Sequence, residues 1–311
     1  RVLWQSVCAL QKRYSFVNCV VYTGKEKNSN PQKILNNVKQ RFGIVLSNEV
    51  RFVYLKTRPL VEAKFWPRFT LLGQSLGSVI LGLEALMKLA PHVYIDTMGY
   101  AFTMPLFRWL GGSKTASYVH YPVVSQDMLE QVSGRVRAHN NAGVISRSRF
   151  LTKLKIIYYR LFAKLYGFVG RRSDVVMVNS TWTHGHISQI WGPKKLSIVY
   201  PPCDTTAFLK IPLERNSKKF RIVSIGQFRP EKNHKLQLNV LKEFLTQLSP
   251  HEKNSVLLVI IGSCRDIEDH TRADELKHYA DQLGIVNHVQ FRINISFGEL
   301  KNELAQATAA L

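Results

Sequence analysis

The sequence predicts an α/β protein of two domains, each built around a parallel β-sheet. Its 311 residues exceed the length of a typical single domain, and a hydrophobic content of 45% is enough for substantial cores. Short β-branched segments alternate with longer amphipathic segments, as in parallel sheets joined by helices. The alternation restarts after a polar, basic stretch, so we place the boundary near residue 210, with domains at 1–210 and 211–311.

The first domain contains a series of short segments with the composition of β-strands. Helix-length segments separate several of them, which favours parallel over antiparallel pairing. The predicted strands are residues 17–22, 50–54, 93–96, 117–120, 175–179 and 197–200.

The second domain repeats this pattern and is predicted to be Rossmann-like as well. Its predicted strands are residues 220–226, 256–262 and 289–291, and its predicted helices are residues 236–248 and 274–283.

The charge of the chain indicates an anionic partner. Lys and Arg number 43 against 21 Asp and Glu, which gives a formal net charge of +22. Nucleic acid, anionic lipid and sugar phosphates would all be attracted by such a charge. The four cysteines are scattered without metal-ligand spacing, so neither a zinc site nor a disulfide framework is predicted. Such cysteine usage favours a reducing compartment.

A candidate phosphate site lies where the first strand of the second domain ends. Gly226 permits close approach of the backbone, and Arg229 and Lys232 supply two cations just before a predicted helix. The helix directs its free N–H groups and the positive end of its dipole toward an anion. A strand-to-helix turn with surface cations has the same spacing, and spacing alone leaves both alternatives open.

Longer sequence blocks resemble a known family. The sequence Gly-Gln-Phe-Arg-Pro-Glu-Lys-Asn-His at 226–234 and the sequence Tyr-Pro-Pro-Cys-Asp at 200–204 closely resemble the eukaryotic dolichol-pathway α-1,2-mannosyltransferases. Four further blocks extend the resemblance over most of the chain, at residues 69–78, 94–102, 118–122 and 173–180.

The resemblance implies a GT-B fold, in which two Rossmann-like domains face each other. The N-terminal domain would hold the acceptor, a dolichol-diphosphate-linked oligosaccharide, and the C-terminal domain would hold the donor, GDP-mannose. Mannose would be added with retention of anomeric configuration during assembly of the N-glycan precursor. The enzyme would act at the cytosolic face of the endoplasmic reticulum membrane, where other mannosyltransferases of the same pathway are possible partners.

The resemblance also assigns roles to individual residues. His120 matches a histidine that supports catalysis near the transferred sugar, whereas an isolated histidine at a strand end is more often structural. Gly262 and Asn294 would border the nucleoside pocket, with ordinary strand-end turns as the alternative. The broader family carries an arginine directly after the first glycine of the phosphate motif, where this chain has Gln227 and then Arg229.

No metal cofactor is predicted. The chain has no Asp-x-Asp sequence, the usual acidic metal ligand of the other large glycosyltransferase fold. Arg229 and Lys232 would therefore neutralise the donor diphosphate. The resemblance further implies a glycine-rich loop ahead of Arg1 and an acidic pair beyond Leu311, so that residues 1–311 alone are expected to be an incomplete, inactive segment.

A predicted helix at about residues 150–170 is a candidate membrane-interface element. At about 100° per residue, Lys153, Arg160 and Lys164 align beside a stripe of large apolar residues, and the helix contains no acid. This composition suits an anionic membrane surface. The alternative is a helix that packs in the core and has a solvated basic edge.

Other functions remain open at this stage. A GT-B enzyme with another nucleotide sugar would share the diphosphate site, since Lys232 and the helix dipole bind any diphosphate. A basic nucleic-acid-binding protein would explain the charge, although no recognition motif is found in the sequence. A non-catalytic membrane scaffold is the third alternative. The glycosylation-like sequences that begin at Asn179 and Asn294 are interpreted as chance matches.

Overall fold

A computed structural model describes residues 1–24, 30–46, 49–125, 149–203, 205–212 and 219–311. They form two compact units, Arg1–Pro202 and Cys203–Leu311. The second unit therefore begins a few residues before the predicted boundary at 210. A short helix at Thr206–Leu209 belongs to it, because the Phe208 ring packs against Phe297 at 5.7 Å. Asp204 and residues 213–218 of the predicted linker lie outside the described residues.

Parallel strands form two sheets in the first unit. One sheet pairs β1 with β2, and the other has the order β3-β4-β5-β6. The strands are β1 (Val20–Gly24), β2 (Arg51–Leu55), β3 (Val93–Asp96), β4 (Lys114–Val119), β5 (Val175–Val178) and β6 (Leu196–Ile198). In the second sheet Asp96 lies opposite Ser117, and Val119 lies opposite Val178. The carboxyl ends of β3, β4 and β5 consequently lie at one edge.

Helices connect these strands. They are α1 (Val2–Arg13), α2 (Pro31–Phe42), α3 (Thr70–Lys88), α4 (Arg149–Gly170) and α5 (Thr181–Trp191). Short 3₁₀ turns occupy Arg58–Val61, Ala63–Phe65 and Ala101–Thr103, and a π-helical turn occupies Leu106–Leu110. The predicted helix at 150–170 is confirmed, with a start one residue earlier.

The main core of the first unit lies between the β3–β6 sheet and helices α4 and α5. Phe162 and Tyr166 of α4 pack with Val176 of β5 and Trp191 of α5. The two helices approach closely because glycines face the contact. A Cβ atom on Gly170 would overlap the Trp191 ring. The position of α5 at the sheet edge therefore depends on this glycine contact.

The second unit has one described sheet, with parallel order β10-β7-β8-β9. Its strands are β7 (Phe220–Ile225), β8 (Val256–Gly262), β9 (Val289–Ile293) and β10 (Ala309–Ala310). Its helices are α6 (Thr206–Leu209), α7 (His234–Thr246), α8 (Pro250–Ser255), α9 (Ile267–Gln282) and α10 (Phe297–Ala305), with 3₁₀ turns at Pro230–Lys232 and Val286–His288. Phe228, Leu238, Leu258 and Ile260 lie at the centre of its core.

Capping residues explain where several helices begin. The Asp266 side chain accepts a hydrogen bond from the Asp269 N–H at 2.9 Å, so α9 starts at Ile267, well before the predicted residue 274. Ser296 and Glu299 form a capping box at the start of α10. Ser296, the third residue of the glycosylation-like sequence that begins at Asn294, is thus a helix cap.

The glycine contact between α4 and α5 gives a first prediction. Gly170→Ala should reduce the free energy of unfolding by about 1–3 kcal/mol, because the added methyl group forces Trp191 or the helix axis to shift. Chemical denaturation followed by circular dichroism measures this change.

Gly185→Ala is the matched control, since Gly185 lies in α5, the partner helix of this contact, but its Cβ would meet no atom within 4 Å. Alanine has the higher helix propensity, so this variant should be neutral or more stable by up to about 1 kcal/mol. Equal destabilisation by both variants would contradict the close contact at Gly170.

Candidate functional site

His120 lies directly after β4, at the carboxyl edge of the β3–β6 sheet. Its ring contacts the Tyr118 ring edge-on at 4.9 Å. Partial burial lowers the pKa of His120, and a hydrogen bond between its side chain and the Thr97 backbone opposes this shift. The Thr183 hydroxyl lies 3.5 Å from the His120 carbonyl oxygen. The exposed imidazole is thus restricted by two contacts, and its lowered pKa favours the neutral form near pH 7.

A buried carboxylate fixes the turn that contacts His120. Asp96 ends β3 and is only 5% exposed. One carboxylate oxygen accepts hydrogen bonds from the backbone N–H groups of Met98, at 2.9 Å, and of Gly99, at 3.2 Å. Burial raises the pKa of Asp96 to about 6, although these backbone bonds lower it. Thr97 lies inside this turn, so Asp96 indirectly sets the position of the His120 side chain.

Sequence analysis did not assign Asp96 a role. The available signal was an acidic residue at the end of a strand, three residues before a glycine, in a region noted only for its family resemblance. Gly99 has φ of 89°, a conformation that favours glycine, and it lets the backbone turn back onto the carboxylate.

The start of α5 completes this edge. Ser180 is the N-cap and accepts a hydrogen bond from the Thr183 N–H at 3.2 Å. The Thr183 hydroxyl donates to the Asn179 side-chain oxygen at 2.7 Å. The Asn179 side chain is therefore engaged in the local hydrogen-bond network after β5.

The candidate phosphate site of the second unit lies after β7. A Cβ atom on Gly226 would lie 3.4 Å from Cδ of Lys232, so the lysine side chain extends over the glycine. Lys232 ends the 3₁₀ turn Pro230–Lys232, and within the described ranges no ion pair of its ammonium group is found. Arg229 is paired with the exposed Glu231 at 3.6 Å. Lys232 is therefore the better placed of the two cations to meet a new anion.

Helix α7 begins immediately after this turn. Its N-cap, Asn233, has φ of 46° and makes no side-chain cap, which leaves the first N–H groups without that partner. His234 is buried and stacks on Phe228 at 5.2 Å. Burial lowers the pKa of His234, as does the nearby Lys232. A neutral His234 adds no repulsion to the adjacent lysine.

Gly262 and Asn294 lie on the same edge and shape the loop after β8. A Cβ atom on Gly262 would overlap the Gly226 carbonyl oxygen. Asn294 has φ of 55°, accepts a hydrogen bond from the Cys264 N–H at 2.9 Å and donates to the Cys264 carbonyl at 3.3 Å. Both residues thus have a structural role at the strand ends, and their contact with a nucleoside remains a prediction.

Helix α4 packs in the core on one face and exposes apolar side chains on another. Its aromatic face, with Tyr159, Phe162 and Tyr166, is buried in the core. A second apolar stripe is exposed, and it consists of Leu154, Ile157, Leu161, Leu165 and Phe168. The side chains of Lys153, Arg160 and Lys164 are exposed as predicted. A helix that served only the core would not carry this second stripe.

The predicted site residues therefore form one group in each unit. His120 belongs to the first unit. The other residues lie around the carboxyl edge of the sheet in the second unit, and they are Gly226, Arg229, Lys232, Gly262 and Asn294. Within the described residues, no cluster of three or more His, Cys, Asp or Glu side chains is arranged to hold a metal ion.

Solved structures share this fold. An α,α-trehalose-phosphate synthase from Burkholderia xenovorans has a TM-score of 0.60 and 11% identity, with 94% of this chain and 77% of that chain covered. An apo structure of OtsA has a TM-score of 0.62 and 8% identity over the same shares. At these identities the likeness concerns the fold alone, and it confirms the predicted GT-B class.

Curated relatives match at much higher identity. They include proteins from Homo sapiens (51%), Xenopus laevis (50%) and Dictyostelium discoideum (44%), each matched over 100% of this chain. All three are named GDP-Man:Man(3)GlcNAc(2)-PP-Dol alpha-1,2-mannosyltransferase. The chain spans 64% of the human and Xenopus relatives and 63% of the Dictyostelium relative.

Two family profiles match consecutive parts of the chain. Residues 206–311 match the family described as glycosyl transferases group 1. Residues 1–191, more than half of the chain, match the family described as ALG11 mannosyltransferase N-terminus. Because this profile covers more than half of its residues, the chain belongs to the ALG11 mannosyltransferase family.

Proposed function

We propose that this protein is a retaining α-1,2-mannosyltransferase that transfers mannose from GDP-mannose to a dolichol-diphosphate-linked oligosaccharide. The names of relatives that are about 50% identical over the whole chain support this donor and acceptor. The observation that carries the proposal is the turn from Gly226 to Lys232, where an unpaired ammonium group lies at the start of α7.

This turn suits the chemistry of the donor. When the bond between mannose and GDP breaks, negative charge develops on the oxygen of the leaving phosphate. A preorganised ammonium group and free helix N–H groups stabilise that charge without reorganising during the reaction. Arg229 adds a guanidinium that can exchange its exposed carboxylate partner for a phosphate. Base selectivity for GDP comes from the relatives rather than from these groups.

In this proposal the first unit supplies His120. A neutral imidazole near a mannose hydroxyl can donate or accept a hydrogen bond without placing a second positive charge in the site. The Asp96 turn and the Tyr118 ring restrict the imidazole, so its orientation is largely set before substrate binds.

Lys232→Ala in the full-length protein tests the donor site. Loss of a charge-assisted phosphate contact, worth about 1.5–3 kcal/mol, should weaken GDP affinity by about 10- to 100-fold and lower turnover. Isothermal titration calorimetry with GDP measures the affinity. Lys242→Ala is the control, because Lys242 is exposed on the same helix but more than two turns from its start. Equal GDP affinity in the two variants would refute the assignment.

We also propose that transfer requires no divalent metal, because Arg229, Lys232 and the α7 N-terminus neutralise the diphosphate. Mannosyl transfer in excess EDTA should equal transfer in magnesium or manganese. Activity that disappears in the chelator and returns with one added metal would show that the cations of the protein are not sufficient.

The protein is further proposed to act at the cytosolic face of the endoplasmic reticulum membrane, with α4 on an anionic lipid surface. A second described helix supports this placement. Small residues of α3 face inward, and a Cβ atom on Gly77 would overlap the Leu60 carbonyl oxygen. Five of its large side chains are exposed instead, namely Leu72, Leu76, Ile80, Leu83 and Met87, while Leu81 is buried with the small residues. A helix that served only a water-soluble surface would have the reverse arrangement.

The two exposed stripes adjoin each other. The Leu72 N–H donates to the Tyr158 hydroxyl of α4 at 3.3 Å, and the Phe69 ring contacts the Tyr158 ring at 5.8 Å. Among the described helices, α3 alone has the length and hydropathy of a membrane-spanning segment, and 39% of its most apolar window is buried. We therefore propose that α3 and α4 lie side by side at headgroup depth, with exposed cations reaching lipid phosphates.

Replacing Lys153, Arg160 and Lys164 together by Glu tests this surface. The charge reversal should reduce binding to vesicles that contain anionic lipid, most strongly at low salt, because attraction to the lipid charges becomes repulsion. Vesicle flotation at two salt concentrations measures the effect.

The matched control carries the same charge change in the second unit, as Lys242→Glu, Lys253→Glu and Lys277→Glu. Lys242 and Lys277 are exposed there, and Lys253 is partly exposed. Equal loss of vesicle binding in both triple variants would mean that net charge, rather than the α4 surface, mediates binding.

A further inference from the structure

Two stacked aromatic side chains lie exposed next to His120. Tyr121 follows His120 in sequence and is 56% exposed, and Trp182, in the first turn of α5, is 40% exposed. Their ring centroids are 4.9 Å apart and their planes differ by 27°. Neither ring belongs to the buried clusters of the first unit. We call Tyr121 and Trp182 the aromatic pair.

The aromatic pair is held rigidly. The edge of the buried His186 ring contacts Trp182 at 4.2 Å, one helical turn further along α5. Thr183, the neighbour of Trp182, contacts the His120 carbonyl oxygen, so the start of α5 is connected to the segment that carries Tyr121. The contact between Gly170 and Trp191 fixes the other end of α5. A ligand that stacks here would lose little affinity to the ordering of these side chains.

The exposure of this pair indicates a ligand. Each large aromatic side chain has about 150–250 Å² to bury, and tryptophan and tyrosine are enriched among the residues that dominate binding energy. The faces of their rings carry partial negative charge. A pyranose ring presents C–H groups with partial positive charge on one face and hydroxyl groups around its rim. Stacking therefore buries the apolar face of a sugar while its hydroxyls remain in water.

We propose that Tyr121 and Trp182 form a stacking subsite for a pyranose ring of the acceptor oligosaccharide. The inference rests on the proposed function, which assigns the acceptor to the first unit. Consecutive Cα atoms are only about 3.8 Å apart, so Tyr121 begins within one residue length of His120. A sugar on the pair consequently lies near the end of the acceptor that receives mannose. Phosphate-binding cations lie in the second unit, so the nucleotide is assigned elsewhere.

Kinetics of the full-length protein test the subsite. Tyr121→Ala and Trp182→Ala should each raise KM for the lipid-linked acceptor by about 5- to 30-fold, because a stacking face is removed. KM for GDP-mannose and the affinity for GDP should remain within about twofold. Tyr121→Phe and Trp182→Phe keep an aromatic face and should retain most of the acceptor affinity. Circular dichroism checks that all four variants are folded.

A second measurement needs no transfer. The lipid-free acceptor oligosaccharide should change the tryptophan fluorescence of the full-length protein, and Trp182→Phe should remove that change. Trp109→Phe is the matched control, because Trp109 is also exposed but contacts Arg172 on another part of the first unit. This variant should keep the response to sugar.

The outcomes separate the subsite from the proposed function. An unchanged acceptor KM in both alanine variants of an active enzyme would overturn the subsite and leave the function intact. An equal rise in KM for GDP-mannose would also overturn it, since the pair would then serve the donor. A fluorescence response that depends on Trp182, in a full-length protein that transfers no mannose, would support sugar stacking and overturn the proposed function.

Discussion

Parallel strand pairing is the constraint on which the rest of this structure depends. Every described strand pair in both units is parallel, so each connection must cross back over the sheet before the next strand begins. The carboxyl ends of neighbouring strands are therefore gathered at one edge. In the first unit this edge brings together Asp96, His120 and Asn179, and in the second it brings together Gly226 and Gly262. Residues far apart in sequence thereby become neighbours.

The features that sequence could predict are those set by local spacing. Helix α4 and the strands at 93–96 and 256–262 were predicted with bounds within a residue of those observed, because their apolar runs are long or sharply bounded. The glycine, the two cations and the helix start near Lys232 lie within nine residues of sequence, so their proximity does not depend on contacts with the rest of the chain. The start of α9 was predicted too late, since it depends on the Asp266 cap ahead of a polar first turn.

The features that sequence could not predict depend on tertiary contacts. The carboxylate of Asp96 gains its role only when burial and the Gly99 turn surround it. Tyr121 and Trp182 are distant in sequence, and their stacking requires that β4 and α5 meet at the sheet edge. Periodicity identified one apolar stripe beside a row of cations on α4, yet it contains no information on whether another element covers that stripe. That depends on the glycine contact between α4 and α5.

The carboxyl edge of the β3–β6 sheet and that of the sheet in the second unit differ in their chemistry, because they expose different charged and neutral groups. In the second unit an ammonium group remains available while the histidine beside it is kept neutral by burial, which suits a site for a highly charged diphosphate. In the first unit a buried carboxylate is satisfied by backbone N–H groups, and the exposed groups are a neutral imidazole and aromatic faces. Such groups discriminate sugars by shape and hydrogen bonding rather than by charge. This division fits the proposed function, in which the donor is mainly a phosphate ester and the acceptor is bound through its sugars. In the proposed function the positive charge of the chain serves two separate purposes. Lys232 would contact the donor phosphate, and Lys153, Arg160 and Lys164, which lie along the exposed stripe of α4, would contact lipid phosphates.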